Sequence, residues 1–358
     1  MPAYCFFDVR RITDDRKVAQ YRPRVAATVE QYGGRYLVLG GKHEVVEGDW
    51  KPGFAVIVEF PSLEQAHRWY DSPEYRPLRA LRLAGTECNA VFIEGCERRA
   101  STPAEVYEEL FVPALFRQWG GVVADAARVQ PGERVLDVAC GTGVLALAAA
   151  ERAAPGGSVA GLDPSADMLG VARRKSDHIE WRQGKAEAIP FPDASFDAVV
   201  SQFGLMFFED RAAALREMLR VLRPGGRLAV AVCDALERAP GYAALADLLH
   251  RLFGKRVADA FRAPFVLGDA QRLLSLCAEA GIAGAQVTRH AGTVRFASIA
   301  ALISTERACV FTLGGLLDDA QFERLLQESH TALRPFAAAD GKVAFAMPAL
   351  VVSAAKTP

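Results

Sequence analysis

The sequence predicts a doubly wound α/β domain preceded by a smaller α+β domain, and three observations lead to this fold class. Apolar, strand-like runs alternate with helical patterns over residues 134–233, which is typical of a parallel sheet with helices on both faces. Residues 1–97 instead give the order strand, helix, two strands, helix, strand, which fits helices packed on an antiparallel sheet. A chain of 358 residues is also too long for one ordinary core.

The strands of the N-terminal part are apolar or aromatic runs bounded by turn residues. They are predicted at residues 4–9, 35–39, 54–60 and 91–94. One helix is predicted over residues 14–31, before the Gly33-Gly34 stop, and a second begins at the capping-box pair Ser62 and Gln65. This order predicts a ferredoxin-like sandwich.

The C-terminal part supplies seven predicted strands. They cover residues 134–139, 158–162, 179–183, 196–201, 228–233, 285–290 and 349–355. The polar run 95–105 separates the two parts, and Ser101-Thr102-Pro103 within it is a plausible helix start. We therefore predict a first domain over residues 1–97, a linker over 98–103 and a second domain over 104–358.

Composition excludes several function classes. Hydrophobic residues make up 51% of the chain and the formal net charge is −1, so no global field attracts nucleic acid or an anionic membrane. The basic run 173–175 is interpreted as a solvated face. The seven cysteines show no C-x-x-C spacing, which argues against a metal site and for a reducing cytoplasm. Neither a signal peptide nor an apolar run of about 18 residues is present, so we expect a soluble cytoplasmic protein.

A glycine-rich loop follows the first strand of the second domain and leads into an alanine-rich helix over residues 144–154. Its glycines, Gly141 and Gly143, allow a sharp turn and a close approach to a ligand, and the helix N-terminus offers free N–H groups. The spacing Gly141-x-Gly143-x-x-Ala146 also satisfies the dinucleotide-binding pattern. The loop alone therefore leaves the choice of cofactor open.

Two acidic residues narrow that choice. Asp137 lies four residues before the first glycine, where a carboxylate would repel a pyrophosphate but suits the ammonium and sulfonium charges of S-adenosylmethionine. Asp137 could also orient loop amides or simply cap the turn. Asp163 ends the next strand, where an acid accepts hydrogen bonds from ribose hydroxyls in either cofactor. Ser165 can cap the following helix, and Met168 either packs on an adenine face or belongs to the core.

Five successive motifs resemble those of class I S-adenosylmethionine-dependent methyltransferases, which have a Rossmann-like fold. They stand at residues 136–143 (LDVACGTG), 161–165 (GLDPS), 184–193 (GKAEAIPFPD), 195–197 (SFD) and 222–226 (LRPGG). The closest similarity is to the branch that contains ubiquinone/menaquinone-biosynthesis C-methyltransferases. A looser similarity extends over residues 105–356.

The resemblance implies a cofactor site at named positions. Residues next to the methionine part would be Ala139, Gly141, Thr142 and Gly143, with Asp163 on the ribose. Ala186 and Glu187 would lie near the adenine, and Ser201, Gln202 and Phe203 near the methionyl group and the acceptor. Lys185 departs from the family, in which many members have an acid there. Because a lysine cannot accept a hydrogen bond, that adenine contact is either absent or made by Glu187.

Residues 1–97 resemble the family of small domains named DUF1330, which is related to dimeric α+β barrels. The matching pieces are residues 33–35 (GGR), 47–50 (EGDW), 58–61 (VEFP) and 69–75 (WYDSPEY). The resemblance implies a ferredoxin-like fold that often pairs sheet to sheet, and it implies no reaction. We expect this domain to form a homodimer or to shape the substrate entrance.

Methyl transfer from a sulfonium needs alignment more than a dedicated catalytic group. Tyr107 and Gln202 are the candidate catalytic residues, although packing also accounts for Tyr107. His250, His290 and His330 are weaker candidates for a base, and His330 is interpreted as a boundary residue. S-adenosylhomocysteine would be the product, and the sequence does not identify the acceptor atom.

The acceptor is expected to be small and partly apolar, because residues 237–265 and 296–338 are helical insertions rich in apolar side chains. Those side chains are Phe261, Phe265, Phe296, Phe311, Leu316 and Leu317, which core packing would explain equally well. Two alternatives stay open. One is an NAD(P)-dependent oxidoreductase on the same loop, for which no Tyr–Lys or His dyad is found, and the other is a non-catalytic assembly protein.

Overall fold

The structure, a computed structural model, describes residues 1–95, 102–309 and 312–357. The chain forms two compact units, Met1–Ala100 and Ser101–Pro358. Residues 98–101 of the predicted linker lie outside the described residues, and so does Phe311. Among the described residues, no helix is both long enough and apolar enough to cross a bilayer.

The first unit is an antiparallel sheet with helices on one face. Its strands are β1 (Ala3–Ile12), β2 (Arg35–Leu39), β3 (Phe54–Phe60) and β4 (Thr86–Glu94), and its helices are α1 (Asp15–Gln31), α2 (Leu63–Tyr70) and α3 (Arg76–Gly85). The sheet order is β2-β3-β1-β4. This is the ferredoxin-like arrangement predicted from the sequence, with α3 as an additional helix. Trp69 forms the centre of its core and stacks on Tyr75 with ring centroids 4.1 Å apart.

The second unit is built on a seven-stranded sheet. Its strands are β5 (Arg134–Val138), β6 (Ser158–Asp163), β7 (Glu180–Gln183), β8 (Phe196–Gln202), β9 (Leu222–Cys233), β10 (Gln286–His290) and β13 (Ala349–Ala355). β9 begins six residues earlier than predicted, because Leu222 already pairs with Phe196. A separate two-stranded sheet, β11 (Thr293–Phe296) with β12 (Val343–Ala346), was not predicted.

Helices cover the sheet and extend beyond it. They are α4 (Pro103–Val106), a π-helical segment (Tyr107–Phe116), α5 (Trp119–Ala126), α6 (Val144–Ala153), α7 (Ala166–Lys175), α8 (Arg211–Val221), α9 (Pro240–Phe253), α10 (Lys255–Arg262), α11 (Ala270–Glu279), α12 (Ile299–Ala308) and α13 (Asp319–Ala332). Short 3₁₀ turns lie at Leu205–Phe207, Leu236–Arg238, Ala263–Phe265 and Arg334–Phe336.

The strand order places a crevice at a defined point of the sheet. The order is β10-β13-β9-β8-β5-β6-β7, in which β13 runs antiparallel to both β9 and β10. From β5 the chain continues to β6 and β7 on one side, while β8 and β9 lie on the other. Open sheets bind ligands where the order reverses in this way, beyond the carboxyl ends of the central strands. The predicted fold class is confirmed, and the crevice lies at the ends of β5 and β8.

Candidate functional site

A cavity of about 480 Å³ lies at that point in the second unit. Its glycine-loop end is lined by residues that follow β5 and β6, and its far end by residues that follow β9. The middle is formed by the π-helical segment and the residues after β8. The glycine-loop end comprises Ala139, Gly141, Asp163, Pro164, Ser165, Asp167 and Met168, and the far end Cys233, Tyr242, Phe261, Pro264, Phe265, Glu306, Cys309, Thr312 and Met347.

The two loop glycines have different physical roles. Both have left-handed backbone angles, with φ of 53° at Gly141 and 88° at Gly143. A Cβ added at Gly141 would meet no atom within 4 Å, so that residue leaves open space beside the cavity. A Cβ at Gly143 would lie 2.6 Å from the Trp181 ring. Gly143 is therefore needed for packing, and the cavity wall includes Gly141 but not Gly143.

Asp163 holds the loop in place at the end of β6. One carboxylate oxygen accepts a hydrogen bond from the Gly141 N–H at 2.8 Å, and the other accepts from the Ser165 N–H at 2.9 Å. Burial raises the pKa of Asp163, and these two amides oppose the rise. Each oxygen keeps a lone pair, because a carboxylate offers about four acceptor sites. Asp163 can therefore accept further hydrogen bonds from a ligand in the cavity.

Asp137 lies beneath the loop and is completely buried. Neither of its carboxyl oxygens has a hydrogen-bond partner among the described residues. Burial raises its pKa well above the usual range, the Ala146 amide opposes this effect, and Asp163 adds to it. The Ala146 N–H therefore lies near enough to the Asp137 carboxyl to lower its pKa, but the contact does not have the geometry of a hydrogen bond. An unpaired buried acid has a high desolvation cost, which a nearby positive charge would offset.

The end of β8 contributes polar groups with unused bonding capacity. The Gln202 side chain donates a hydrogen bond from Nε2 to the Phe116 carbonyl at 3.1 Å. Its Oε1, together with the Ser201 hydroxyl, is buried without a partner in the described part of the chain. Phe203 follows with a φ of 56°, a conformation that is uncommon for non-glycine residues.

The entry segment, residues 103–116, covers the cavity and is fixed to α7. It begins with a capping box between Thr102 and Glu105. Lys175 Nζ donates to Glu108 Oε1 at 2.9 Å and to the Thr142 carbonyl at 3.0 Å, so it joins the entry segment to the glycine loop. Arg174 donates to Glu105 at 2.9 Å. All three residues of the basic run 173–175 are exposed, as expected for a solvated face, and two of them also form these interactions.

Tyr107 begins the π-helical segment and packs among aromatic rings. Its ring stacks on Phe116 with centroids 5.1 Å apart. Burial raises the pKa of Tyr107 above its usual value, with smaller contributions from the surrounding acids, so its phenol stays neutral. π-Helical turns occur frequently at functional sites.

The far end carries a polar cluster that sequence reasoning missed. Glu306 is 2% exposed, and its Oε2 accepts a hydrogen bond from the Thr312 hydroxyl at 2.9 Å. The Tyr242 hydroxyl is buried and has no hydrogen-bond partner among the residues described. Burial raises the pKa of Glu306 to about 7. The sequence contains little signal for this cluster, because Thr305 and Glu306 stand in the polar run 304–307 (STER), which is typical of an exposed helix end.

The structure brings half of the predicted site residues to the cavity wall. Those that line it are Tyr107, Ala139, Gly141, Asp163, Met168 and Gln202, and those that do not are Asp137, Thr142, Gly143, Ala186, Glu187 and Ser201. Glu187 instead accepts a hydrogen bond from the Glu209 N–H at 3.0 Å. Among the predicted apolar residues of the insertions, Phe261 and Phe265 line the far end.

The three histidines stay away from the cavity. None of His250, His290 and His330 is among the residues that line it. His330 is exposed, so its interpretation as a boundary residue is wrong. It lies on α13, where Leu325 and Ser329 form the buried side.

The charge of the cavity wall restricts what can bind. Asp163, Asp167 and Glu306 are acidic, and no lysine, arginine or histidine is among the described residues that line the cavity. A pyrophosphate would meet acids without a compensating cation, whereas a positively charged ligand would be stabilised. The far end is also strongly aromatic. This combination can hold a cationic nucleoside at the glycine loop and a small, partly apolar molecule at the far end.

Comparisons with known proteins match both units to families. Residues 2–96 match the family described as "Domain of unknown function (DUF1330)", and residues 136–230 match the one described as "Methyltransferase domain".

Three curated relatives are similar to this chain. A ubiquinone/menaquinone biosynthesis C-methyltransferase from Hahella chejuensis is 43% identical over 35% of this chain and 53% of its own length. A demethylmenaquinone methyltransferase from Thermus thermophilus is 42% identical over 39% of this chain and 63% of its own length. One from Listeria monocytogenes is 36% identical over 50% and 81%. The chain therefore spans less than two thirds of the first two relatives.

Proposed function

Because the chain belongs to the S-adenosylmethionine-dependent methyltransferase family that includes demethylmenaquinone methyltransferases, we propose that its second unit methylates a small, partly apolar acceptor in the cavity. The observation that carries the proposal is the cavity itself. It lies at the reversal point of the sheet, it is open beside Gly141, and its lining has acids and aromatic rings without a basic side chain in the described residues.

The glycine-loop end fits S-adenosylmethionine. Asp163 has free acceptor capacity for the two ribose hydroxyls, and Met168 lies on the wall where it can pack on the adenine. Gln202 Oε1, which is buried without a partner in the described chain, can accept from the methionyl ammonium. Asp137 would lie beneath the loop, where the positive charge of the cofactor would favour its ionised form, and Thr142 and Ser201 would be further polar neighbours. Ala186 and Glu187 remain proposed neighbours of the adenine.

When bound, the cofactor supplies a methyl group that is already activated by the sulfonium charge. The chain's own contribution is to align an acceptor in line with that methyl group and to exclude water. Tyr107, Phe116 and Phe203 form the apolar middle of the cavity, between its two ends. A neutral Tyr107 favours a role in packing and orientation.

The nature of the acceptor is argued from the far end. The match to the methyltransferase family ends at residue 230, before every residue of the far end. Phe261, Phe265 and Met347 provide apolar surface for a small ring or short chain. Screening candidate acceptors by mass spectrometry for the gain of one methylene would identify the substrate. If no compound gains that mass, the proposed reaction is refuted.

Calorimetric titration separates the proposed enzyme from its two alternatives. The methyltransferase should bind S-adenosylmethionine and S-adenosylhomocysteine but not NADH, because the carboxylates of Asp163 and Asp167 line the glycine-loop end, where they would repel a pyrophosphate. Binding of NADH alone would favour the oxidoreductase, and binding of none of the three would favour an assembly role.

Asp163→Asn should weaken S-adenosylhomocysteine binding by about 1–3 kcal/mol, because it replaces a charged acceptor of two amides and two hydroxyls by a neutral one. Asp167→Asn is the matched control, since Asp167 lines the same end but makes neither of those two bonds, and it should change the affinity little. If both variants have the same dissociation constant for S-adenosylhomocysteine, Asp163 does not contact the cofactor.

The first unit is proposed to mediate a homodimer. The sheet face opposite the helices contains Val91 and Ile93, which are 47% and 50% exposed, and Leu37, which is 45% exposed. Apolar side chains in a row on a sheet face favour association. We also place the enzyme in the cytoplasm, for which the odd number of cysteines is the supporting observation.

A further inference from the structure

The far end of the cavity contains a carboxyl group that the proposed function has not used. Glu306 lies on α12, is 2% exposed and forms part of the cavity wall. Thr312 donates one hydrogen bond to it at 2.9 Å. A carboxylate in such a place is costly unless it is paired, because burial removes its hydration. Because burying this carboxyl has a high free-energy cost, packing alone does not explain its position.

Tyr242 provides a second observation at the same place in the cavity. It lies on α9, is 3% exposed, and lines the same end of the cavity. Its hydroxyl has no hydrogen-bond partner among the described residues, although it is near enough to Glu306 for each to affect the pKa of the other. Two polar groups from different helices thus meet the cavity at one place, beside the aromatic rings of Phe261 and Phe265.

The described lining of the cavity provides no cation for this carboxyl. The described lining includes neither a lysine, an arginine nor a histidine, and no ion pair of Glu306 is present in the described chain. A ligand in the cavity can supply a further hydrogen-bond donor to this carboxyl. A ligand with an O–H or N–H group would satisfy both Glu306 and Tyr242, whereas a carboxylate or phosphate would be repelled.

We propose that Glu306 accepts the proton that the methyl acceptor loses, from an O–H or N–H group held between Glu306 and Tyr242. This inference rests on the proposed methyltransferase function. As the acceptor's lone pair forms a bond to the methyl carbon, the carbon–sulfur bond breaks and its electron pair goes to sulfur. The proton passes to the Glu306 carboxylate and leaves later to solvent. The step needs neither an oxidant nor a reductant.

Glu306 is the group near the acceptor whose charge changes around neutral pH. Burial raises its pKa to about 7. The titratable groups around it are Tyr242 and Cys309 at the far end, Cys233 at the end of β9, and Tyr107 and Asp163 across the cavity. Burial raises the pKa of Tyr242 and Tyr107 above the usual phenol value and that of Cys233 to about 12, so these three stay neutral. Asp163 is engaged by two amides at the other end.

The test measures binding of three probes of one shape to the protein saturated with S-adenosylhomocysteine. Naphthol offers an O–H group, naphthalene offers none, and naphthoic acid carries a negative charge. The preference for naphthol over naphthalene should rise about tenfold between about pH 6 and about pH 8.5, as the carboxyl ionises and accepts a stronger hydrogen bond. Naphthoate should bind weakly at the higher pH. In Glu306→Gln the naphthol preference should no longer depend on pH, and naphthoate binding should recover.

Two further variants keep the test decisive if Glu306→Gln folds poorly. Thr312→Val removes a hydrogen bond that lowers the pKa of Glu306, so the pH midpoint of the naphthol preference should shift upward. Tyr242→Phe should reduce the preference at every pH and keep its pH dependence. The role of Glu306 as proton acceptor would be overturned if the naphthol preference of the wild type does not change with pH. It would also be overturned if Glu306→Gln keeps the pH dependence of that preference. Failure of all three probes to bind would also overturn it.

S-adenosylhomocysteine affinity separates this result from the proposed function. It should be similar in the wild type and in Glu306→Gln, since Glu306 lies at the end away from the glycine loop. A wild-type protein that does not bind S-adenosylhomocysteine refutes the methyltransferase proposal itself. If the wild type binds S-adenosylhomocysteine but shows no pH-dependent preference for naphthol, only the role of Glu306 is refuted.

Discussion

At the scale of single residues, the site depends on buried polar groups that the fold leaves unpaired. Asp137, Ser201, Gln202 and Tyr242 all have buried polar atoms without a partner in the described chain. Each unsatisfied group costs about 1–3 kcal/mol, and native proteins keep few of them. Gln202 and Tyr242 line the cavity, so a bound molecule can complete their hydrogen bonds, whereas Asp137 and Ser201 lie behind the wall. Unpaired buried groups lower the stability of the protein without a ligand, as is usual at functional sites.

Glu306 should also make the stability of the second unit depend on pH. Its pKa is about 7 in the folded protein and near 4.5 in the unfolded chain, so the folded state holds the proton more tightly. The protein should therefore lose stability as the pH rises from the unfolded value to the folded value, and the loss should level off above it. Relative to Glu306→Gln, the wild type should lose roughly 2–3 kcal/mol between about pH 5 and about pH 8. Urea unfolding of both proteins across this range tests the prediction, and parallel pH curves would contradict it.

At the scale of elements, the glycine loop is fixed from two sides. Asp163 binds the loop amide of Gly141, and Trp181 from β7 packs against Gly143. Trp181 Nε1 in turn donates to the Ser176 carbonyl at 3.0 Å, which fixes the orientation of the ring. The loop is thus positioned by neighbouring strands before any ligand binds, and this reduces the entropy lost on binding.

Gly143→Ala should destabilise the second unit by about 2–4 kcal/mol, because it adds a clash with the Trp181 ring to an unfavourable φ of 88°. Gly141→Ala is the matched control. It has the same left-handed backbone but its added Cβ meets no atom, so it should cost about 1–2 kcal/mol. Thermal or urea unfolding of the two variants measures the difference. If both lose the same stability, the Trp181 contact is not the reason for a glycine at position 143.

Lys175→Met should weaken binding of S-adenosylhomocysteine by about threefold to tenfold, because it releases the entry segment and the Thr142 carbonyl together. Methionine keeps the apolar stem, so packing is largely retained. The control is Arg174→Met, whose ion pair with Glu105 is more exposed and should matter less. Stopped-flow dissociation should show faster release in the Lys175 variant. Unchanged release would mean that the entry segment stays closed without this lysine.

At the scale of the whole molecule, the first unit has a core on only one sheet face. Residues such as Phe7, Val58 and Phe60 pack with the helices, whereas Val91 and Ile93 on the other face are half exposed. The apolar character of that face is the physical reason to expect pairing with a second copy. A sheet-to-sheet interface would bury it without any change of fold.

Val91→Lys combined with Ile93→Lys should convert the protein into a monomer, because each lysine would place a charge in the buried interface. Leu83→Lys is the control, since Leu83 is 57% exposed but lies on α3 instead of the sheet. Sedimentation velocity distinguishes the two states. A wild-type protein that is already monomeric, or a double variant that remains dimeric, would refute the proposed interface.

The sequence alone determined the features that depend on local pattern. Strand periodicity and turn residues predicted every strand of the large sheet, and the spacing of Gly141, Gly143 and Asp163 predicted the glycine loop that lies beside the cavity. These signals are local because a strand, a tight turn and a helix start each depend on neighbouring residues. The helix α3 was missed because its buried residues are Leu78, Arg82 and Gly85, which give only a weak apolar periodicity.

Only the tertiary structure decided which distant residues share the cavity. Tyr242, Glu306 and Thr312 come from separate segments, and no spacing in the sequence connects them. The tertiary structure also showed that the Trp181 ring leaves no room for a side chain at position 143, and that Lys175 joins the entry segment to the glycine loop. The reason is physical: a buried carboxyl becomes significant through its surroundings, and burial is a property of packing between elements that are far apart in the chain.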